Sequence, residues 1–445
     1  MMLEHSPIPA VDVAIIGGGP AGCAAGLTLL KKGGISVAVL EADDYSQHRI
    51  GESLSPGCRA LLDYLQVWPE FSQMNSLKTY SSNAAWGSEQ AHSLDYLFTL
   101  HGSGWQLDRR AFDRMLSRQF QRQGGELIAD FRVQQLERHA DYWQLKNKQQ
   151  SLLASYVIDA SGRNSNIARK LGAQRVKCDQ LTGVAVISDI ENADDASVLV
   201  EACEYGWWYS AILPDNKLVM VLMADADTIS QDNLAQEDNW WQSLAQMPLT
   251  LQRSKNASNF SSPKSWPAFS SYLKTPYGDH WLAVGDAAAS YDPLSSSGIP
   301  HALGSGVRGA LAAIAQLEGQ QPEKLNLYRQ TLIAEYQQYF NTRGDYYRRV
   351  NRWPESRFWQ RRQAHIELAA EQPLQLIPSF NKRYPDTFLD QSRSQELIAP
   401  LEQQAQMSAV ELVRTFQQSR PMESEQNIIL ALQQLLQGGV ISASY

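Results

Sequence analysis

The chain has 445 residues but only four cysteines, Cys23, Cys58, Cys178 and Cys203. None belongs to a C-x-x-C pair, and no histidine stands at ligand spacing from them. This argues against a zinc site or a disulfide framework and fits a reducing compartment, so no metal ligands are expected. Basic runs are missing too. The 39 basic residues are outnumbered by 47 acidic ones, for a net charge of −8, which makes a nucleic-acid partner a poor fit. Residues 1–12 hold no Lys or Arg and include Glu4 and Asp12, unlike the basic start of a signal peptide. The uncharged run from Val13 to Leu30 is broken by Gly17, Gly18, Gly19 and Pro20, whereas a membrane helix needs about 20 apolar residues without a breaker. Together these absences predict a cytoplasmic protein with neither membrane nor nucleic acid as partner. The 43% apolar content is ample for the cores of two or three domains.

The uncharged run divides in two. "VDVAIIG" is short and rich in Val and Ile, as a buried parallel strand is. "PAGCAAGLTLLKKGG" predicts a helix that begins at Pro20 and Ala21 and is closed by Gly33 and Gly34. Between them lies Gly17-x-Gly19-x-x-Gly22. Gly17 permits a tight turn, Gly19 lets backbone approach a pyrophosphate, and Gly22 allows close helix–strand contact. The helix N-terminus offers free N–H groups to phosphate. A second strand, "ISVAVLEA", ends in Glu41 and Ala42, and an acid there accepts hydrogen bonds from a ribose. This strand–turn–helix–strand–acid set predicts a dinucleotide site. "GSGVRG" at 304–309 also fits the glycine pattern. It sits inside an Ala/Leu helical run with no strand before it, and predicts close packing, not a second site.

Two further motifs lie far from the first. "YVIDASGRNSNIARKLG" (156–172) is a strand, a glycine turn and a helix. "HWLAVGDAAASYDPLSSSGIPHAL" (280–303) is a strand ending at Gly285–Asp286, followed by a helix that starts near Gly298 and Ile299. These motifs resemble those of FAD proteins of the aromatic hydroxylase, geranylgeranyl reductase and flavin-dependent halogenase superfamily. The resemblance extends to "HRIGESLSPGCRALLDYL" (48–65), whose Gly51-Glu52-Ser53 before Pro56 looks like the strap beside the flavin in halogenase-type members. "WQLDRRAFDRML" (105–116) is similar to the helix start whose Arg, here Arg109, points at the cofactor. A cation is electrostatically misplaced at a helix N-terminus, so a bound anion is expected there. The resemblance implies FAD as cofactor, with Asp286 accepting from a ribityl hydroxyl, Arg49 near the phosphates or adenine, and the Gly298 amides facing the flavin pyrimidine edge.

The implied fold is α/β: a discontinuous Rossmann-type FAD domain (1–75, 106–175 and 276–320), an antiparallel-sheet substrate domain (76–105 and 176–275) and a helical C-terminal region (321–445). "PDNK" (214–217) predicts a hairpin turn. Trp86, Trp207, Trp208 and Tyr209 are candidate walls of a substrate pocket. Glu52, Ser53, Pro293, Ser296 and Ser297 are the candidates nearest the chemistry, because Ser296 and Ser297 fall where halogenase relatives bind halide. His301 reads as structural.

Reduced flavin and O2 give a C4a-hydroperoxide, and the protein's part is to exclude water and hold substrate beside it. Tryptophan halogenases carry a Trp-x-Trp-x-Ile-Pro box, which "GWWYSAILP" (206–214) matches only in part. Their Lys falls at Ser82, with Lys78 displaced, and the second Glu of E-P-L-E-S-T-G is Ser295 in "DPLSSSG". Hydroxylation is therefore favoured. The whole pattern, with the late "RRVNRWPESRFWQRR", resembles the flavoproteins that mature cysteine-tryptophylquinone enzymes by adding oxygen to a Trp of a precursor protein. That resemblance implies a large protein partner and an open flavin cleft. No second dinucleotide fold is present, so NAD(P)H binds transiently or a separate reductase supplies electrons. The alternatives are a hydroxylase or halogenase of a small or carrier-bound aromatic, and a flavoprotein that chaperones the precursor without oxidising it.

Overall fold

The uncharged stretch folds as strand, turn and helix. Strand Ala10–Ile16 lies between Ser151–Asp159 and Val37–Leu40, parallel to both, with Ile15 opposite Ile158 and Val39. Glu126–Ile128 continues the parallel sheet on one side and Trp281–Ala283 on the other. The central strands are buried without alternation, as a parallel sheet covered on both faces requires. The computed structural model describes residues 8–46, 49–96, 102–191, 195–319, 323–363, 370–377, 387, 389, 391–437 and 440–443. The first residue of the strap (48) and the expected 320/321 boundary fall outside them.

Helix Pro20–Lys32 starts on a proline, whose missing N–H costs nothing at a first turn, and ends at Gly33 with φ +77°. It is sandwiched between the sheet and helix Gly298–Leu317. A Cβ on Gly306 would stand 2.4 Å from the Ala21 carbonyl oxygen. The "GSGVRG" run is thus the contact face of that long helix.

The second large sheet runs Ala257–Ser258, Leu181–Ile190, Lys217–Asp225, Gly206–Leu213, Val198–Cys203, Ser81–Ala85, His92–Asp95. The turn at 214–217 joins two of its strands, with Asp215 and Asn216 both left-handed, as a tight hairpin demands. The sheet departs from the expected antiparallel pattern at one junction. Ser81–Ala85 pairs parallel to Val198–Cys203, because the chain crosses the FAD-binding sheet between them and re-enters from the same end. Leu77–Thr79 does not join this sheet. It pairs with Gly104–Gln106, which also pairs with Ser53–Leu54 of the strap.

The C-terminal region is not wholly helical. Helices Glu323–Arg348 and Arg357–Gln363 pack on the main body. Helices Gln391–Gln403, Ala409–Ser419 and Glu425–Gln437 surround a small sheet of Met407–Ser408, Pro373–Leu376 and Ile441–Ala443. They share a separate core that includes Leu374, Leu397, Leu412, Phe416 and Leu432. These short strands carry no alternation long enough to announce themselves. Among the described residues no helix is long and apolar enough to cross a membrane.

Candidate functional site

A cleft of about 480 Å³ runs from the first glycine turn to the start of helix Gly298–Leu317. At its near end Gly17 has φ +111°, and a Cβ there would stand 2.3 Å from the Ala160 carbonyl oxygen. Gly22 does not line the cleft. Its Cβ position lies 1.9 Å from the Gly17 carbonyl oxygen, so it keeps helix and turn in contact. Gly19 caps the helix in extended conformation with no side-chain cap, and a Cβ there would meet nothing within 4 Å. The first-turn amide of Ala21 is thus offered to the cleft with the positive end of the helix dipole.

Glu41 is buried. Its Oε2 accepts from the Gly18 N–H at 2.6 Å, and its Oε1 accepts from the Ala42 N–H at 3.0 Å and from Arg49 Nη2 at 3.2 Å. Arg49 also reaches Asp43 (2.9 Å) and Asp113 Oδ2 (3.0 Å). Burial works against the charge of Arg49, but Asp113 and Glu41 override it and push its pKa up. Ala42, Arg49 and Arg109 all line the cleft. Arg109 donates through Nη1 to the Ile50 and Gly51 carbonyls at 2.7 and 3.1 Å, clamping the strap.

Within the protein Arg109 has an anionic partner. It is Asp113, one turn along the same helix and fully buried, bonded to Arg109 Nη2 at 3.2 Å. A carboxylate with no exposure is tolerable only with such partners. Sequence reasoning missed Asp113. Its only signal was the i,i+4 spacing from Arg109.

At mid-cleft, Asp286 pairs with Arg163 at 3.2 Å, and Arg163 also donates to the Phe269 and Tyr291 carbonyls. Arg163 was likewise missed, although it follows the "DASG" turn directly. Gly285, with φ +58° and its N–H on Ser305 Oγ at 2.6 Å, shapes the turn without lining the cleft.

At the far end stand Pro293, Ser296, Gly298 and Ile299. Ser296 is left-handed, with φ +50°. Ser297 caps the long helix without a side-chain bond, so the Gly298 and Ile299 amides face outward. The Ser297 hydroxyl itself turns back to the Ser295 carbonyl at 3.1 Å and does not line the cleft. His301 is buried behind Tyr291, ring centroids 4.3 Å apart, and burial lowers its pKa to about 4.

Opposite these lie Glu52 and Ser53 of the strap and Trp207 and Tyr209 of the substrate sheet. Ser53 Oγ is 2.9 Å from both Gln106 Oε1 and Tyr209 Oη. Burial, reinforced by Glu52, raises the Tyr209 pKa, so the phenol stays neutral. Two candidate wall residues lie elsewhere. Trp208 points to the other face of its strand, against Trp240 at 5.0 Å, because neighbours on a strand alternate. Trp86 sits behind Trp207 (6.2 Å) and donates to the Tyr346 carbonyl. Among the described residues no group of three His, Cys, Asp or Glu is placed to hold a metal.

The cleft fits an elongated dinucleotide: an acid and a bare helix N-terminus at one end, a ring-walled chamber with a second bare helix N-terminus at the other. That geometry defines a flavin-dinucleotide protein. Comparison with known sequences agrees, and the chain belongs to the FAD binding domain family, whose pattern matches residues 10–330. It is 36% identical over 367 residues to LodB of Marinomonas mediterranea, a candidate FAD-dependent oxidoreductase, covering 80% of this chain and 98% of LodB. It is 26% identical to a 1H-pyrrole-2-carbonyl-[peptidyl-carrier protein] brominase of Pseudoalteromonas luteoviolacea, over 71% of this chain and 80% of that one. Its fold is similar to the myxobacterial chondrochloren halogenase CndH, with TM-score 0.74 at 20% identity and 97% of each chain covered. The protein is an FAD-dependent oxidoreductase.

Proposed function

We propose that this chain is a cytoplasmic monooxygenase that hydroxylates a tryptophan side chain of a precursor protein during tryptophylquinone biogenesis. Bound FAD would supply the activation of O2, with electrons from NAD(P)H or a separate reductase. The chain's own residues do the rest. The Gly19 helix end, Glu41 and the Arg49–Asp113–Arg109 cluster hold the nucleotide half. Arg163 and Asp286 meet the ribityl region. The Gly298 and Ile299 amides stabilise negative charge at the flavin ring. Trp207, Met223, Val221 and Pro267 keep one side of the far chamber apolar, while the neutral Tyr209–Ser53 pair offers one hydrogen-bonding edge to an indole N–H.

The observation that carries this reading is a chamber walled by Trp207, Tyr209 and Tyr291, joined to the resemblance to quinone-maturing flavoproteins and to similarity across almost the whole of LodB. Co-expression with a tryptophylquinone-enzyme precursor, under isotopically labelled O2, tests it. Mass spectrometry of tryptic peptides should find labelled oxygen on one Trp, dependent on this protein. NAD(P)H oxidation stimulated by a free phenol or indole, with the precursor Trp untouched, would replace the reading with small-molecule hydroxylation.

Halogenation of a carrier-bound aromatic is the second reading, favoured by the similarity to the pyrrole brominase. The positions that would relay hypohalous acid in a tryptophan halogenase do not serve it here. Lys78 is exposed on its strand, Ser82 does not line the cleft, and Ser295 points its hydroxyl at the Asp292 carbonyl.

A further inference from the structure

The loop Asp292–Ser297 carries the flavin-end residues Pro293 and Ser296 and leads into the Gly298 amides, yet little in its own sequence fixes it. Its anchor comes from helix Glu323–Arg348. Asp292 is almost fully buried. Its Oδ1 accepts from the Leu294 N–H at 2.9 Å, capping the turn. Its Oδ2 accepts from the Tyr347 hydroxyl at 2.8 Å and from Arg343 Nε at 3.1 Å. Its backbone N–H donates to Tyr339 Oη at 2.7 Å. Arg343 also holds Asp179 at 2.9 Å. The Tyr347 oxygen accepts in turn from Trp207 Nε1 at 3.0 Å. One buried phenol thus joins the substrate-sheet wall to the flavin-side loop.

We propose that Tyr347 and Asp292, with Arg343, are positioning residues that set the outward-facing Gly298 and Ile299 amides against the flavin ring. None of the three lines the cleft, so they act through the loop. The assignment rests on FAD binding alone and not on the identity of the substrate. A buried carboxylate is tolerated only when it is paired and hydrogen-bonded, and here each bond fixes a different part: the turn, helix Glu323–Arg348 and the Trp207 wall. Removing the phenol frees the wall and the loop to move independently, and an amide pair displaced by about 1 Å loses much of its effect on developing charge.

Sulfite reads this directly. It adds to oxidised flavin and leaves the ring anionic, so its affinity for the FAD-loaded protein reports how well that charge is stabilised. Tyr347→Phe and Asp292→Asn should each weaken sulfite about tenfold, the size expected for one lost hydrogen bond to a charged group. FAD affinity should change far less, because the nucleotide end is untouched. Arg343→Lys, which keeps the cation, should fall between wild type and Arg343→Met. Trp240→Phe, distant in the other core, should lower the melting temperature and leave sulfite affinity unchanged. If a folded, FAD-loaded Tyr347→Phe binds sulfite like wild type, the assignment is wrong and the cluster is packing only. It is equally wrong if wild type binds no sulfite, or if Trp240→Phe weakens sulfite as much as Tyr347→Phe. Should Tyr347→Phe not fold, Asp292→Asn carries the same comparison. No substrate is used, so failure here leaves the hydroxylation reading standing, and failure of that reading leaves this one to be judged separately.

Discussion

The two ends of the cleft solve opposite problems. The nucleotide end is built from charge: Glu41, Asp43 and Asp113 answered by Arg49 and Arg109 within about one turn of helix and one strand end. The flavin end is built mostly from rings and backbone amides, with Glu52 of the strap among them. Tyr209 and Tyr291 have raised pKa values and His301 a lowered one, each chiefly through burial. Charge is useful where phosphates must be met. It is a liability where water is to be excluded and an aromatic ring admitted.

Breaking the charged end should give the largest effect. Asp113→Ala leaves two arginines without their shared buried partner, and should cost about 3–5 kcal/mol of stability, together with much of the FAD affinity. Urea denaturation with FAD titration checks this, and a loss under 1 kcal/mol would mean that the cluster behaves like a surface pair.

A smaller effect is expected at the other end, and only in acid. His301 stays neutral when folded, down to about pH 4, but takes up a proton near 6.5 when unfolded. The unfolded chain therefore binds more protons between those values. The stability that His301 contributes is whole above about 6.5 and is lost as pH falls toward 4, by roughly 3 kcal/mol in all. In His301→Asn the urea midpoint should fall less steeply across that window. Identical slopes for variant and wild type would contradict it.

The smallest effect sharpens the contrast. Tyr209→Phe removes one neutral hydrogen bond to Ser53, worth about 1 kcal/mol, and should leave FAD affinity unchanged. Substrate turnover should suffer more than stability. A variant that loses FAD would show that Tyr209 serves the cofactor and not the far chamber.

The same contrast explains what was legible in the sequence. The glycine turn, Glu41, Asp286 and the Gly298 helix start are local: each function follows from neighbours within a few residues and from known strand and helix geometry. Asp113, Arg163 and Asp292 matter through partners that only the fold supplies, as with Asp292 and Arg343, which lie 51 residues apart. The Trp207–Trp208 pair shows a different limit. Alternation guarantees that one points into the cleft and the other away, but the sequence alone does not say which. The cation Arg109 at a helix start has a buried carboxylate of its own helix as partner, so its position in the sequence does not by itself single out a ligand.

The parallel junction in the substrate sheet has a consequence for how the chain comes to be folded. Ser82 pairs with Val198, so much of the FAD-binding sheet must be made between them. As the chain leaves the ribosome, Ser81–Ala85 has only His92–Asp95 to pair with, and a two-stranded ribbon is marginal in water. Closing so long a loop is slow. Pulse-labelled hydrogen exchange during refolding should therefore protect Ile15 and Ile158, which pair with each other, before Asn83 and Val200. On that schedule the nucleotide end is in place before the chamber gains its Trp207 wall.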